Sequence, residues 1–198
     1  MQPTTKILNE QLIIPTVEIA KEAGEAITEI YNSGFDYQLK KDLSPITAAD
    51  NLSHKIIIER LQILTPEIPI LSEEDCNIPY KIRSQWTKYW LVDPLDGTKE
   101  FINRNGEFTV NIALIDNNTP VFGVIHIPVS NETYWGSKGN GSFYSNENND
   151  VKQIYVSDNH QNPIHLVSSR SHPSEMLNDL LEKIIDYEII KVGSSIKF

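Results

Sequence analysis

The apolar period of this chain changes near residue 65, and that change limits the folds open to it. Before it, two stretches carry a helical stripe. Over residues 9–31 the stripe is Leu12, Val17, Ala20, Ala23, Ala26, Ile27 and Ile30, with acids and Lys21 on the other face. Pro15 is expected in the first turn, where its missing N–H costs little, and Asn32-Ser33-Gly34 reads as a helix end. Thr47 reads as the cap of a second helix, with Asp50 in the capping-box position and Leu52, Ile56, Ile57, Leu61 and Leu64 facing inward. Thr65-Pro66 stops it. A short strand is expected between the helices, over 35–40.

Beyond residue 65 the segments are short and apolar. Strands are predicted at 68–72, 89–92, 108–115, 121–127 and 132–136, separated by turn-forming residues. Two helices followed by an antiparallel meander define an α+β layered unit. The polar stretch 145–150, SNENND, reads as a loop tip or a domain junction, giving an amino-terminal α+β domain over 1–148 and a carboxy-terminal α/β unit over 149–198. That second unit has a strand at 165–168, a helix at 173–185 with Ser171 as a cap, and a strand at 187–192 running into Gly193-Ser194-Ser195. Residues 196–198 read as the first turn of a further helix.

Charge restricts the partners. The 27 acidic residues outnumber the 17 basic ones, and no Lys/Arg cluster occurs, so neither polynucleotide nor anionic lipid is an expected ligand. No apolar run is long enough for a transmembrane helix, and no signal peptide is evident at the amino terminus. The single cysteine, Cys76, excludes an internal disulfide and fits a reducing, cytoplasmic setting. An acidic protein can still handle a small phosphate ester when its carboxylates gather divalent cations.

The acids fall at strand ends. Glu73 follows one short strand; Asp93 and Asp96 follow another, within Asp93-Pro94-Leu95-Asp96-Gly97-Thr98. Pro94 restricts φ and Gly97 permits an unusual one, so a tight turn here can aim two carboxylates and the Leu95 carbonyl at one point. Such hard oxygen donors suit Mg²⁺. The same residue types also make an ordinary surface turn, and the acidic stretch at 73–75 an ordinary solvated loop.

Six motifs in order carry a family resemblance: SPITAAD at 44–50, LSEED at 71–75, WLVDPLDGTKEF at 90–101, NGEFTVNIAL at 105–114, SRSH at 169–172 and VGSSIKF at 192–198. Together they resemble the inositol monophosphatase superfamily of Mg²⁺-dependent, lithium-sensitive phosphatases, with a layered sugar-phosphatase-like fold. DGTKEF and NGEFTVNIALI closely resemble the bacterial 3'(2'),5'-bisphosphate nucleotidases of sulfur assimilation. The resemblance spans nearly the whole chain.

It implies that Glu73, Asp93 and the Leu95 carbonyl hold one Mg²⁺, and that Asp93 and Asp96 hold a second. Thr98, oriented by Asp50, is then the group that takes a proton from the attacking water. Gly97, Thr98, Ser169, His172, Gly193 and Lys197 fall on substrate-contacting positions, with Lys197 on the phosphate that is not cleaved. Without the resemblance, Asp50 is a helix cap, Thr98 a turn hydroxyl, Ser169 to His172 a helix start and Lys197 a solvated lysine. The implied substrate is a small nucleotide bisphosphate. The enzyme is expected to be a monomer or homodimer in the cytoplasm, peripheral attachment at the inner membrane being left open. An inositol or sugar monophosphatase is the alternative within the superfamily.

Other chemistries lack their patterns: there is no HExxH, GxSxG or P-loop spacing, and the five histidines have no zinc-ligand spacing. One feature departs from the family. Members continue past GSSxKF with a helix, a strand and a WDxAAG-like segment whose Asp completes the second metal site. The chain is therefore expected to be either the truncated amino-terminal four-fifths of an enzyme or a non-catalytic remnant, with apolar strands of the second unit left uncovered.

Overall fold

The computed structural model describes residues 10–33, 37–39, 45–75, 77–158, 163–171, 177 and 180–198. Helix α1 (Glu10–Ser33) buries Ile13, Val17, Ala20, Ala23 and Ile27 along one face. Pro15 lies in its second turn rather than its first, because the helix already begins at Glu10. Strands β1 (Tyr37–Leu39) and β2 (Pro45–Thr47) form a small antiparallel ribbon before α2 (Ala48–Leu64). Thr47 caps α2 with the predicted box: its hydroxyl accepts from Ala49 and Asp50 N–H, and the Asp50 side chain accepts from the Thr47 N–H.

The inward face of α2 is Ala49, Asp50, Ser53, Ile57 and Leu61. Leu52, expected inside, is exposed. Asp50 and Ser53 take the inward face there instead, Asp50 bonding Thr98 and Ser53 the Pro94 carbonyl.

A seven-stranded sheet follows, built from β3 (Ile70–Ser72), β4 (Lys88–Asp96), β5 (Thr109–Asp116), β6 (Thr119–Ile127), β7 (Glu132–Ser137), β8 (Gly141–Ser145) and β9 (Val151–Ile154), paired in that order. Only β3–β4 is parallel; the rest is a meander. Strands β8 and β9 were not anticipated: their alternation is short and rich in Gly, Ser and Lys, so pairing with β7 rather than intrinsic propensity makes them strands. Strand β9 lies beyond the 145–150 loop and still belongs to this sheet. Two further helices, α3 (Tyr80–Arg83) and α4 (Thr98–Ile102), are each about one turn and too short to show a period in sequence.

Helices α1 and α2 pack on each other and cover β4–β6. The core between them holds Trp90, Val92, Ile112, Leu114, Phe122 and Val124. Trp90 donates its indole N–H to Thr65 Oγ1 at 2.9 Å, so the end of α2 is tied to β4. Phe101 of α4 is fully buried against Tyr31 and Phe108, with ring centroids 5.1–5.2 Å apart. Burying a side chain of this size contributes on the order of 2–3 kcal/mol, and here it anchors α4 directly beneath the acidic turn.

After β9 the chain forms a separate parallel pair, β10 (Ile164–Ser169) and β11 (Tyr187–Val192). Ile164, Val167, Ile189 and Ile190 of this pair are exposed. Of the helix predicted over 173–185, residues 173–176, 178 and 179 lie outside the described residues; 177, 180 and 181 are helical, and 182–185 are not, so the helix ends before the predicted 185. The chain closes with a single 3-10 turn, Ser194–Lys197.

Candidate active site

Asp93 and Asp96 reach one face of the sheet through a register irregularity. Asp93 pairs with Asn111 and Asp96 with Thr109, so three steps on β4 oppose two on β5. Strand side chains alternate, and an odd step would otherwise put the two acids on opposite faces. The extra residue restores them to the same side, as a β-bulge does. Pro94 and Leu95, in the bulge, are buried, and the Pro94 carbonyl accepts a 2.7 Å bond from Ser53 of α2. The DPLDG segment is thus the bulged end of a strand rather than a free surface turn. Gly97 follows at φ +91° and leads into α4. A Cβ there would lie 3.0 Å from both the Glu107 carbonyl oxygen and Ser194 Cβ.

Glu73 N–H donates to the Val92 carbonyl at 3.0 Å, which sets the end of β3 beside Asp93. The Asp93 carboxyl is pushed up to about 8, first by burial, then by the charges of Glu73 and Asp96 and a hydrogen bond with Glu73. Its Oδ1 is buried without a hydrogen-bond partner. An orphaned buried carboxylate oxygen among like charges is the arrangement that a cation relieves. The donors at hand, Glu73, Asp93, Asp96 and the Leu95 carbonyl, are all hard oxygens, so they fit Mg²⁺. Among the described residues no three His, Cys, Asp or Glu side chains stand together in an arrangement that holds a cation as it is. Asp96 Oδ2 is instead engaged by Ser195 Oγ at 2.6 Å, Asn111 Nδ2 at 3.3 Å and Thr109 Oγ1 at 3.5 Å.

Asp50 serves two partners at once. Its Oδ2 accepts from the Thr47 N–H at 2.8 Å and the Thr47 hydroxyl at 2.5 Å, while its Oδ1 accepts from Thr98 Oγ1 at 3.3 Å. The cap and the link to Thr98 therefore coexist on one carboxylate. Burial raises the Asp50 pKa, partly offset by the Thr47 and Thr98 hydrogen bonds. Thr98 Oγ1 also lies 3.4 Å from the Leu95 carbonyl oxygen, so the hydroxyl sits between Asp50 and the bulge.

The residues assigned to substrate are split. Ser169 ends β10 and pairs with Val192, immediately before Gly193. A Cβ on Gly193 would fall 2.5 Å from Glu100 Cγ, so this position needs glycine for space. The Lys197 ammonium donates to the Ser194 carbonyl. Lys197 lines the same open cleft as Glu73, Asp93, Asn111 and Ser195, a space of about 1160 Å³ on the face of the sheet away from α1 and α2. His172 lies outside the described residues, as does Cys76. Asn111 and Ser195 were missed as site residues. A signal for Asn111 existed: it is the one polar residue in an otherwise apolar run from Val110 to Ile115. Ser195 gave none, because its partner Asp96 lies 99 residues away.

The fold, the bulged acidic strand and the Thr98–Asp50 pair together define a phosphatase class. The Inositol monophosphatase family model matches residues 8–197, and the chain belongs to that family. It is 46% identical to the 3'(2'),5'-bisphosphate nucleotidase CysQ of Salmonella typhimurium over 183 residues, covering 91% of this chain and 72% of that protein. The CysQ of Aggregatibacter actinomycetemcomitans is 38% identical, covering 96% and 70%. The crystal structure of CysQ from Bacteroides thetaiotaomicron superposes with a TM-score of 0.78 at 38% identity, covering 93% of this chain and 73% of that one. An IMPase/NADP phosphatase complexed with Mg²⁺ and phosphate shares the fold, with a TM-score of 0.69 at 18% identity and coverages of 88% and 64%.

Proposed function

We propose that this chain carries the active site of a Mg²⁺-dependent 3'(2'),5'-bisphosphate nucleotidase, cleaving the 3'-phosphate of adenosine 3',5'-bisphosphate to give AMP and inorganic phosphate. The observation that carries this reading is the bulge in β4, which sets Asp93 and Asp96 on one face beside Glu73 and directly before the Thr98–Asp50 pair. The similarity to CysQ nucleotidases supports the choice of substrate.

Glu73, Asp93, the Leu95 carbonyl and Asp96 would hold Mg²⁺, which when bound supplies Lewis acidity and neutralises charge on the phosphate. Thr98 Oγ accepts a proton from the attacking water while passing its own to Asp50 Oδ1. The Thr47 bonds keep Asp50 oriented with Oδ1 toward Thr98. The water oxygen bonds to phosphorus, the bond from phosphorus to the ribose 3'-oxygen breaks, and a proton returns to that oxygen. Gly193 lets the nucleotide approach the backbone, Ser169 and His172 are assigned to substrate binding, and Lys197 pairs with the uncleaved phosphate. The enzyme acts on this small molecule in the cytoplasm, and Li⁺ inhibits it. No described helix is long and apolar enough to cross a membrane.

Phosphate release from adenosine 3',5'-bisphosphate and from inositol 1-phosphate, each with Mg²⁺ and with chelator, tests the proposal, with Asp93→Asn as control. The nucleotide should be the better substrate, and release should need Mg²⁺ and Asp93. Faster release from the inositol ester, or undiminished release in chelator, overturns it.

A further inference from the structure

Three motif residues have no part in the chemistry above: Glu100 of DGTKEF, Glu107 of NGEF and Arg170 of SRSH. The structure brings them to one place. Arg170 makes a two-pronged contact with Glu107, Nε to Oε2 at 2.7 Å and Nη2 to Oε1 at 2.5 Å. The same Nη2 donates to the Lys191 carbonyl at 2.7 Å. Glu107 Oε2 also accepts the Gly193 N–H at 2.7 Å. Beside it, Glu100 is almost fully buried and accepts from Ser171 Oγ. The ends of β10 and β11 are thus gripped by two carboxylates of the amino-terminal unit.

Isolated exposed ion pairs contribute little. This one differs in geometry: the guanidinium is held at a carboxylate and a carbonyl, and the carboxylate is shared with a backbone N–H. What it seats also matters. Gly193 is followed by Ser194, with φ +44°, and Ser195, whose hydroxyl reaches Asp96 Oδ2 at 2.6 Å. Asn111 Nδ2 joins the same pair, 3.0 Å from Ser195 Oγ and 3.3 Å from Asp96 Oδ2. A path of direct contacts therefore runs from Arg170 through Glu107 and the Gly193–Ser195 turn to Asp96.

We infer that Glu107 and Arg170 are positioning residues: their contact docks the Gly193-Ser194-Ser195 turn on the acidic site, so that Ser195 aims Asp96 and the Gly193 backbone stands where a nucleotide binds. The Asp96 half of this inference requires only a cation site; the nucleotide half rests on the proposed function. Arg170 cannot be replaced by lysine without loss, because a point charge does not span the Glu107 carboxylate and the Lys191 carbonyl together.

The test uses Glu107→Ala, Glu107→Gln, Arg170→Ala, Arg170→Lys and the double variant Glu107→Ala/Arg170→Ala in the full chain. Three readouts apply: amide hydrogen exchange at Gly193, the affinity for Mn²⁺ alone, and KM and kcat for adenosine 3',5'-bisphosphate. Glu107→Ala should speed Gly193 exchange by on the order of tenfold or more while residues 110–114 of β5 keep their protection. It should weaken Mn²⁺ severalfold and raise KM by on the order of tenfold, with kcat changed less. Arg170→Ala should act in the same direction, Arg170→Lys should restore little, and the double variant should be no worse than the worse single. Glu107→Gln keeps an acceptor for Gly193 and should fall between; it carries the test if Glu107→Ala does not fold. Wild-type Gly193 exchange and Mn²⁺ affinity in both alanine variants would overturn the inference, as would additive losses. If the parent chain cleaves no bisphosphate, the proposed function fails, and the exchange and Mn²⁺ readouts still decide the docking.

Discussion

Thr98 Oγ1 donates to Asp50 Oδ1 at 3.3 Å, joining the start of α4 to the start of α2 across 48 residues. Asp50 retains both Thr47 bonds when that hydroxyl is lost, so the cap of α2 does not depend on Thr98. Thr98→Ala should therefore cut kcat by a factor on the order of 10²–10⁴, as expected for a lost proton relay. Mg²⁺ affinity and melting temperature should stay near those of the parent, and Thr98→Ser should recover most of the rate. Near-normal turnover of Thr98→Ala in a steady-state assay would remove Thr98 from the chemistry.

Asp93 is the acid with most to gain from a cation. Its folded pKa, about 8, lies above the ordinary 3.8, so its contribution to stability is complete below 3.8 and is lost as pH rises toward 8. Asp93→Asn keeps the shape and removes the charge. In chelator it should raise stability by about 1–3 kcal/mol at pH 8 and by less at pH 5, while abolishing Mg²⁺-dependent stabilisation and turnover. Thermal melts at the two pH values, with and without Mg²⁺, check both halves; an unchanged response to Mg²⁺ would show that Asp93 is not a ligand.

Gly97 is required for two reasons at once, φ +91° and a Cβ position 3.0 Å from a backbone oxygen. Gly97→Ala should cost about 1–3 kcal/mol and lower the melting temperature by several degrees. Gly123, in β6, has nothing within 4 Å of its Cβ position, and Gly123→Ala should stay within about 0.5 kcal/mol of the parent. Equal melting temperatures for the two variants would contradict the geometry at Gly97.

His126 is buried between β6 and α1, its Nδ1 2.9 Å from Thr133 Oγ1 and its ring so close to Gly24 that a Cβ there would overlap it. Burial first, and then the Lys21 charge, lower its pKa to about 4 from 6.5. A depressed folded pKa means stability that is complete above 6.5 and lost as pH falls toward 4. The loss amounts to about 2–3 kcal/mol for this group alone. His126→Asn should be less stable at pH 7 yet lose less between pH 6.5 and 4, measured as the difference between the two proteins' denaturant midpoints. Parallel pH profiles would mean that His126 titrates normally.

Much of this molecule was written in local pattern. The apolar stripe of α1, the Thr47–Asp50 capping box and the alternation of β5–β7 each follow from residues within one turn or one strand. The acids at strand ends and the glycine at the start of α4 were visible for the same reason: steric and hydrogen-bonding demands of a single segment select them. Tertiary structure decided what depends on partners distant in sequence. The parity of Asp93 and Asp96 is set by the register of β4 against β5, and no property of DPLD alone distinguishes a bulge from a turn. Leu52 was misplaced because Asp50 and Ser53, drawn inward by Thr98 and the Pro94 carbonyl, took the face that hydrophobicity assigned to it. Ser195 and Glu107 find Asp96 and Arg170 only after the sheet and the β10–β11 pair come together. Side-chain pattern reports burial within one element. Hydrogen-bond partners between elements are chosen by how the chain packs, and there the folded geometry alone speaks.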